Sequence, residues 1–123
     1  MAFPVAEHLI EVAERELGTR LLPEHRARLA TDNGGEVVCE GEDWLLRPVW
    51  DDTDRRTAAR TTNHIVHETR EAREWGTFPR DAIAIASNGS GDLIVVRAGS
   101  ARMERWDHET GECSPVDIDW NTD

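Results

Sequence analysis

Two short apolar runs on either side of a glycine-rich turn constrain the fold of this sequence more than any other feature. The first run covers residues 82–86 and reads Ala-Ile-Ala-Ile-Ala, and the second covers residues 93–96 and reads Leu-Ile-Val-Val. Between them lies Ser-Asn-Gly-Ser-Gly-Asp, residues 87–92, a composition typical of tight turns. Short apolar runs bounded by such a cluster are typical of neighbouring antiparallel strands. We therefore predict a β-hairpin over residues 82–97.

Three segments have apolar side chains at helical spacing. The first is residues 4–17, which stops before Gly18, a residue suited to a helix C-cap. The second begins near Pro23 and runs to Asn33, where Asn-Gly-Gly ends it. The third is predicted over residues 63–75, with Asn63 as its N-cap. The side chains predicted to face inward are Val5, Leu9, Val12, Ala13 and Leu17 in the first helix and Ile65, Thr69, Ala72 and Trp75 in the third.

Further strands are expected on both sides of the hairpin. Residues 36–50 contain two apolar runs around a turn at Glu40–Asp43, and Pro48 should end the second run because proline cannot donate to a β-ladder. Residues 51–62 are polar and predict a long exposed loop, and two last strands are expected near residues 103–106 and 116–118. Helices, strands, a helix and more strands in this order predict an α+β fold, with a largely antiparallel sheet and helices packed on one side. The length of 123 residues fits a single domain over residues 1–123.

The charge of the chain is strongly negative and unevenly distributed. The net charge is −11, which argues against nucleic acid or an anionic membrane as the partner, because both would repel the protein. Residues 35–54 carry seven acids and one arginine, and residues 101–123 carry seven acids and two arginines. Such local clustering allows a basic protein partner, although solubility alone also explains a net negative charge. No window of about 18 apolar residues and no export signal is visible, and two cysteines without a disulfide framework suit a reducing cytoplasm.

Few residues show a pattern that predicts chemistry. His64 and His67 are three residues apart on a predicted helix, and His108 is the one evident histidine that could join them at a metal. The order His-x-x-His-Glu differs from the zinc-protease order His-Glu-x-x-His, so two histidines on a solvated helix face are the more economical interpretation. Ser87, Ser90, Ser100 and Ser114 lack a nucleophile-elbow context. We therefore predict no catalytic residue, no metal and no cofactor.

The acidic segments contain the residues that we expect to bind a partner. Trp44 and Trp75 are expected in the core, whereas Trp50 and Trp106 stand beside acids and suit the aromatic anchors of a protein interface. Packing of these two tryptophans beneath loops is an equally good interpretation. The predicted partner-binding residues are Glu42, Asp43, Trp50, Asp51, Asp52, Asp54, Trp106, Asp107, Glu109 and Glu112.

Several motifs, taken in order, resemble the SUKH superfamily. Leu22-Pro23-Glu24, followed by Asn33-Gly34-Gly35, is similar to a helix that opens with Leu-Pro and closes with Asn-Gly-Gly. The hairpin resembles that family's central signature, with its Gly-Asp pair at Gly91-Asp92. Residues 103–109 are similar to a strand that ends in an aromatic residue followed by Asp-His-Glu. The resemblance covers residues 5–120, and no family residues match in 51–75.

The resemblance implies a non-catalytic α+β binding domain. Its bacterial members are implied to be immunity proteins for polymorphic toxins, many of them nucleases or deaminases, and its fungal members to be cell-wall assembly regulators. We therefore expect a cytoplasmic immunity protein that occludes a basic toxin domain. The alternatives are an intracellular scaffold or regulatory module without a toxin partner, and a small metal-dependent hydrolase that uses the three histidines.

Overall fold

The computed structural model describes residues 4–120, and within this range the chain forms the predicted helices and strands in the expected order, with one additional helix in the region 51–62. The helices are α1 (Glu7–Leu17), α2 (Pro23–Thr31), α3 (Arg55–Arg60) and α4 (Ile65–Ala72). The strands are β1 (Glu36–Cys39), β2 (Glu42–Leu46), β3 (Ala82–Ser87), β4 (Leu93–Arg97), β5 (Met103–Trp106), β6 (Cys113–Val116) and β7 (Ile118–Asp119). No helix in the described range is long and apolar enough to cross a membrane.

The described strands form one antiparallel sheet in the order β6-β5-β4-β3-β2-β1-β7. The hairpin predicted over residues 82–97 is confirmed as β3 and β4, with Ile83 opposite Val96. β6 and β7 lie at opposite edges of the sheet, yet Asp117 alone separates them in the chain. Because one residue spans only about 3.5 Å, the two edges must lie close together, and the sheet is curled almost into a barrel. The α+β prediction is confirmed.

The central hairpin is buried on both faces. One face of β3 and β4 joins the larger core cluster, and the other face joins a smaller cluster that contains Phe78 and Trp106. Ala82 and Ala84 lie on the second face, where small side chains let α4 approach the sheet. The Ala84 N–H, at a bulge in β3, donates to Thr69 Oγ1 of α4 at 3.0 Å. Continuous burial of β3 and β4 follows from this packing between two apolar layers.

The first two helices are joined by one buried carboxylate. Glu14 is 8% exposed and accepts hydrogen bonds from the Leu21 N–H at 2.7 Å and from Arg26 Nε at 3.1 Å. A buried acid is compatible with the core here because the Glu14 oxygen has two donors.

The predicted inward stripe of α1 is partly wrong, since Val12 is 37% exposed and Ile10 is 1% exposed.

The polar composition of residues 51–62 predicts a long exposed loop. This prediction is wrong, because α3 forms inside the region. Asp54 caps this helix: its Oδ1 accepts the Thr57 N–H at 2.9 Å, and Thr57 Oγ1 accepts the Asp54 N–H at 3.1 Å. This reciprocal capping box satisfies two backbone donors at the helix N-terminus. The N-cap of α4 is His64 rather than Asn63, and α4 ends at Ala72, before the predicted end.

The strand boundaries also differ from the predicted ones. The β1–β2 turn contains only Glu40 and Gly41, both with positive φ (54° and 74°), so β2 already begins at Glu42. This backbone is typical of a two-residue hairpin turn. β2 ends at Leu46, two residues before Pro48, and the strand expected near residues 116–118 is divided between β6 and β7.

Candidate functional site

Three hairpin turns meet at one end of the sheet and bring the two acidic segments together. They are residues 40–41, 88–92 and 107–112, which we call the hairpin end together with the adjoining Glu42 and Arg105. Neighbouring antiparallel strands place alternate turns at the same end of a sheet. Glu42, from the first acidic segment, therefore lies at the same end of the sheet as Asp107 and Glu109 of the second.

Arg105 occupies the centre of the hairpin end. Its Nε and Nη2 donate to Asp92 Oδ2 at 3.0 and 2.8 Å, and its Nη1 donates to Glu40 at 3.1 Å and to Glu42 at 3.2 Å. Its guanidinium carbon lies 5.0 Å from the ring centroid of Trp44, a cation–π contact. Three carboxylates thus share one cation. Glu42, a predicted partner-binding residue, already has an internal ion pair.

Asp92 also holds the neighbouring turn. Its Oδ1 lies 2.7 Å from His108 Nδ1 and accepts the His108 N–H at 3.2 Å. Burial alone would raise the pKa of Asp92, but the hydrogen bonds from His108 and Arg105 outweigh it and lower that pKa. The same hydrogen bond raises the pKa of His108. The Gly-Asp and Asp-His pairs of the sequence therefore have a structural role, joining two hairpins.

A metal-like arrangement occurs at this end. Among residues 4–120, the one group of three potential ligands within 4.8 Å is Asp92, Asp107 and His108. Their oxygen and nitrogen atoms already form hydrogen bonds within and between the turns. Asp107 Oδ1 accepts the N–H of Glu109 at 2.8 Å, and Asp92 Oδ1 lies 2.7 Å from His108 Nδ1. The hypothesis of a three-histidine site is wrong: His64 caps α4 by accepting the His67 N–H, and His108 does not join them.

Four of the other predicted acids lie away from the hairpin end, whereas Glu112 belongs to it. Asp51 is buried (7% exposed) and accepts the Thr53 N–H at 2.9 Å, so it stabilises the segment before α3. Asp54 caps α3, and this hydrogen bond from the Thr57 backbone lowers its pKa. Asp52 is exposed. Asp43 is exposed on the outer face of β2, and Glu112 is exposed in the β5–β6 turn.

The tryptophans are arranged differently from the prediction. Trp44 is buried, as expected, and Trp50 is 39% exposed with its ring centroid 5.5 Å from that of His64. Trp106, predicted as an anchor, is 2% exposed, and its Nε1 donates to the Thr77 carbonyl at 3.2 Å. Trp75, predicted in the core, is 47% exposed and stacks on Trp106 at 5.6 Å. Trp106 is buried because β5 turns it towards the smaller core, whereas Trp75 is exposed because it follows the end of α4.

A cleft of about 790 Å³ lies on the outer face of β1 and β2, and sequence analysis did not predict it. We call it the β1–β2 cleft. Its floor contains Val38, Asp43 and Leu45, which alternate with buried neighbours in their strands. Its walls are residues 32–35, which follow α2, and residues of α3. Only the alternating burial of the strands could have indicated the floor, and the walls depend on the tertiary fold.

These features define an α+β protein with a curled antiparallel sheet, in which the densest polar cluster stabilises the turns. The sequence profile of the SMI1 / KNR4 family (SUKH-1) matches residues 4–121, nearly the whole chain. The chain therefore belongs to this family, and the resemblance to the SUKH superfamily is confirmed. No curated protein matches the chain.

Proposed function

We propose that this chain is a non-catalytic immunity protein, which neutralises a cognate polymorphic toxin by covering its functional surface. Membership of the SUKH-1 family is consistent with an immunity or interaction module. His64 accepts the His67 N–H and His108 bonds to Asp92, so both histidines have structural roles. We also propose that the protein acts in the cytoplasm, where its two free cysteines would stay reduced.

The observation that carries the proposal is that exposed acids of the two acidic segments have no counter-ion among the described residues. Arg26, Arg47, Arg97 and Arg105 already pair with carboxylates of the same chain. Asp43, Asp52 and Glu112 are exposed and form no ion pair with any described residue. Together with the net charge of −11, this leaves a surface that attracts a basic protein domain.

The proposed mechanism is occlusion assisted by charge. Complementary charges mainly raise the rate of association, and a few well-packed aromatic side chains supply much of the binding energy. Trp50, which is 39% exposed, is the predicted anchor that remains available. Trp106 is excluded from this role by its burial in the smaller core.

The test uses the toxin domain that we expect the neighbouring gene to encode, as the variable C-terminal domain of a large secreted protein. Association is followed by stopped-flow fluorescence at low and high salt for the wild type and for the triple variant Asp43→Lys, Asp52→Lys and Glu112→Lys. We expect the variant to associate at least about tenfold more slowly and to lose most of its salt dependence. Wild-type protein should also abolish the toxin's activity.

The matched control reverses three exposed acids outside the two acidic segments, Glu11→Lys, Glu16→Lys and Glu74→Lys. It changes the net charge equally and should slow association less. An unchanged rate in the acidic-segment variant would contradict the electrostatic mechanism. A toxin that neither binds nor is inhibited would contradict the immunity function and favour the scaffold alternative.

A further inference from the structure

The β1–β2 cleft presents an uncovered face of the sheet. Leu45 is 45% exposed on its floor, one of the few large apolar side chains at the surface of the described chain. Asp43 lies two residues earlier in β2, on the same face, opposite Val38 in β1. An apolar side chain beside a carboxylate on an open sheet face suits an extended partner segment in which apolar and basic side chains alternate.

The charges around this cleft differ from those of the hairpin end. The lining includes four carboxylates, on Asp32, Glu36, Asp43 and Asp51, and two guanidinium groups, on Arg28 and Arg60. The Arg28 guanidinium is directed to backbone oxygens, donating to the Glu36 carbonyl at 2.9 Å and to the Trp120 carbonyl at 3.2 Å.

The β1–β2 cleft differs from the hairpin end because two of its acids have no internal counter-ion. Asp32 and Asp43 form no ion pair within the described part of the chain. At the hairpin end, by contrast, Arg105 already binds Glu40, Glu42 and Asp92. A cation from a partner therefore gains more binding energy at Asp32 and Asp43 than at the hairpin end, because it displaces no arginine from these two acids.

We propose that the β1–β2 cleft is the surface that docks the protein partner, and that its occupant is an extended segment carrying arginine or lysine beside an apolar side chain. This inference rests on the proposed function and specifies the surface that performs it. A cleft of about 790 Å³ is large enough for several side chains. Leu45 would contact the apolar side chain, and Asp32 and Asp43 would bind the cations.

The experiment requires no toxin. ¹⁵N-labelled protein is titrated with the peptide acetyl-Arg-Leu-Arg-Leu-Arg-amide, and with acetyl-Glu-Leu-Glu-Leu-Glu-amide as the control peptide. We expect amide shift changes from the basic peptide at residues 33–35, 43–45 and 57–61. The acidic peptide should cause none. Asp43→Asn should weaken binding of the basic peptide about fivefold, the effect of losing one exposed ion pair.

A matched variant separates the cleft from general acidity. Glu11→Gln removes the same charge from an exposed acid of α1, outside the two acidic segments, and should change affinity by less than about twofold. Shift changes centred on residues 107–112, equal effects of the two variants, or no shift changes at all would overturn the assignment. Peptide binding in the cleft combined with failure to bind the toxin would retain the docking surface and reject only the immunity function.

Discussion

Acidification should destabilise this protein through a single buried histidine. His25 of α2 is 1% exposed, and its Nε2 has no hydrogen-bond partner within residues 4–120. Its ring stacks on Trp120 with centroids 5.4 Å apart. Burial lowers the pKa of His25 from 6.5 to about 4, because an imidazolium would lose its hydration there.

The size of the effect follows from the difference between the two pKa values. The folded protein holds His25 neutral, whereas the unfolded chain binds a proton near pH 6.5. The associated stability is therefore fully present above pH 6.5 and is lost as the pH falls towards 4. The complete loss is roughly 3 kcal/mol, and at pH 5 it is about 2 kcal/mol. A small domain with a total stability of about 5–15 kcal/mol would show this clearly.

The assay compares urea unfolding of the wild type and of His25→Phe at pH 8 and pH 5. Phenylalanine keeps a ring against Trp120 and cannot be protonated. We expect the wild type to lose about 2 kcal/mol more than the variant between the two pH values. Burial also lowers the pKa of His64, but this contribution is common to both proteins and cancels in the difference. Equal losses in the two proteins would refute a buried, neutral His25.

Two further predictions concern the hairpin end and the smaller core. Gly91→Ala should lower the free energy of unfolding by about 2 kcal/mol, because Gly91 has φ +107° and an added methyl group would lie 3.0 Å from the His108 ring; thermal unfolding with unchanged stability would contradict this. Trp106→Ala should cost about 3–5 kcal/mol and Trp75→Ala only about 1 kcal/mol. Denaturant titration of both variants measures the difference, and a larger loss for Trp75→Ala would restore the sequence-based assignment.

How far the sequence predicts an element depends on how local its signal is. The hairpin of β3 and β4 was predictable because turn residues and apolar runs are adjacent in the chain. The α3 helix was missed although its capping pair, Asp54 and Thr57, is also local and three residues apart. Such a pair is a recognisable helix start, and the polar composition around it led to the loop prediction instead.

The candidate site was less predictable because its parts are distant in sequence. Arg105 meets Glu40 across 65 residues, and only the sheet order places the two turns together. Composition predicted an acidic surface, but could not distinguish Glu42, which an arginine binds, from Asp43, its neighbour on the opposite face of the strand. The core assignment of Trp75 is wrong, and the burial of Trp106 was only one of two open interpretations, because burial depends on what packs above each ring.

The sequence by itself determined the class of fold, the order of its helices and strands apart from α3, and the central hairpin. These follow from periodicity and turn chemistry, which act over a few residues. Only the tertiary structure decided which carboxylates are neutralised, which tryptophan is exposed and where an open cleft lies. Ion pairing and burial depend on distances between segments far apart in the chain, and those distances exist only after the sheet has curled and closed.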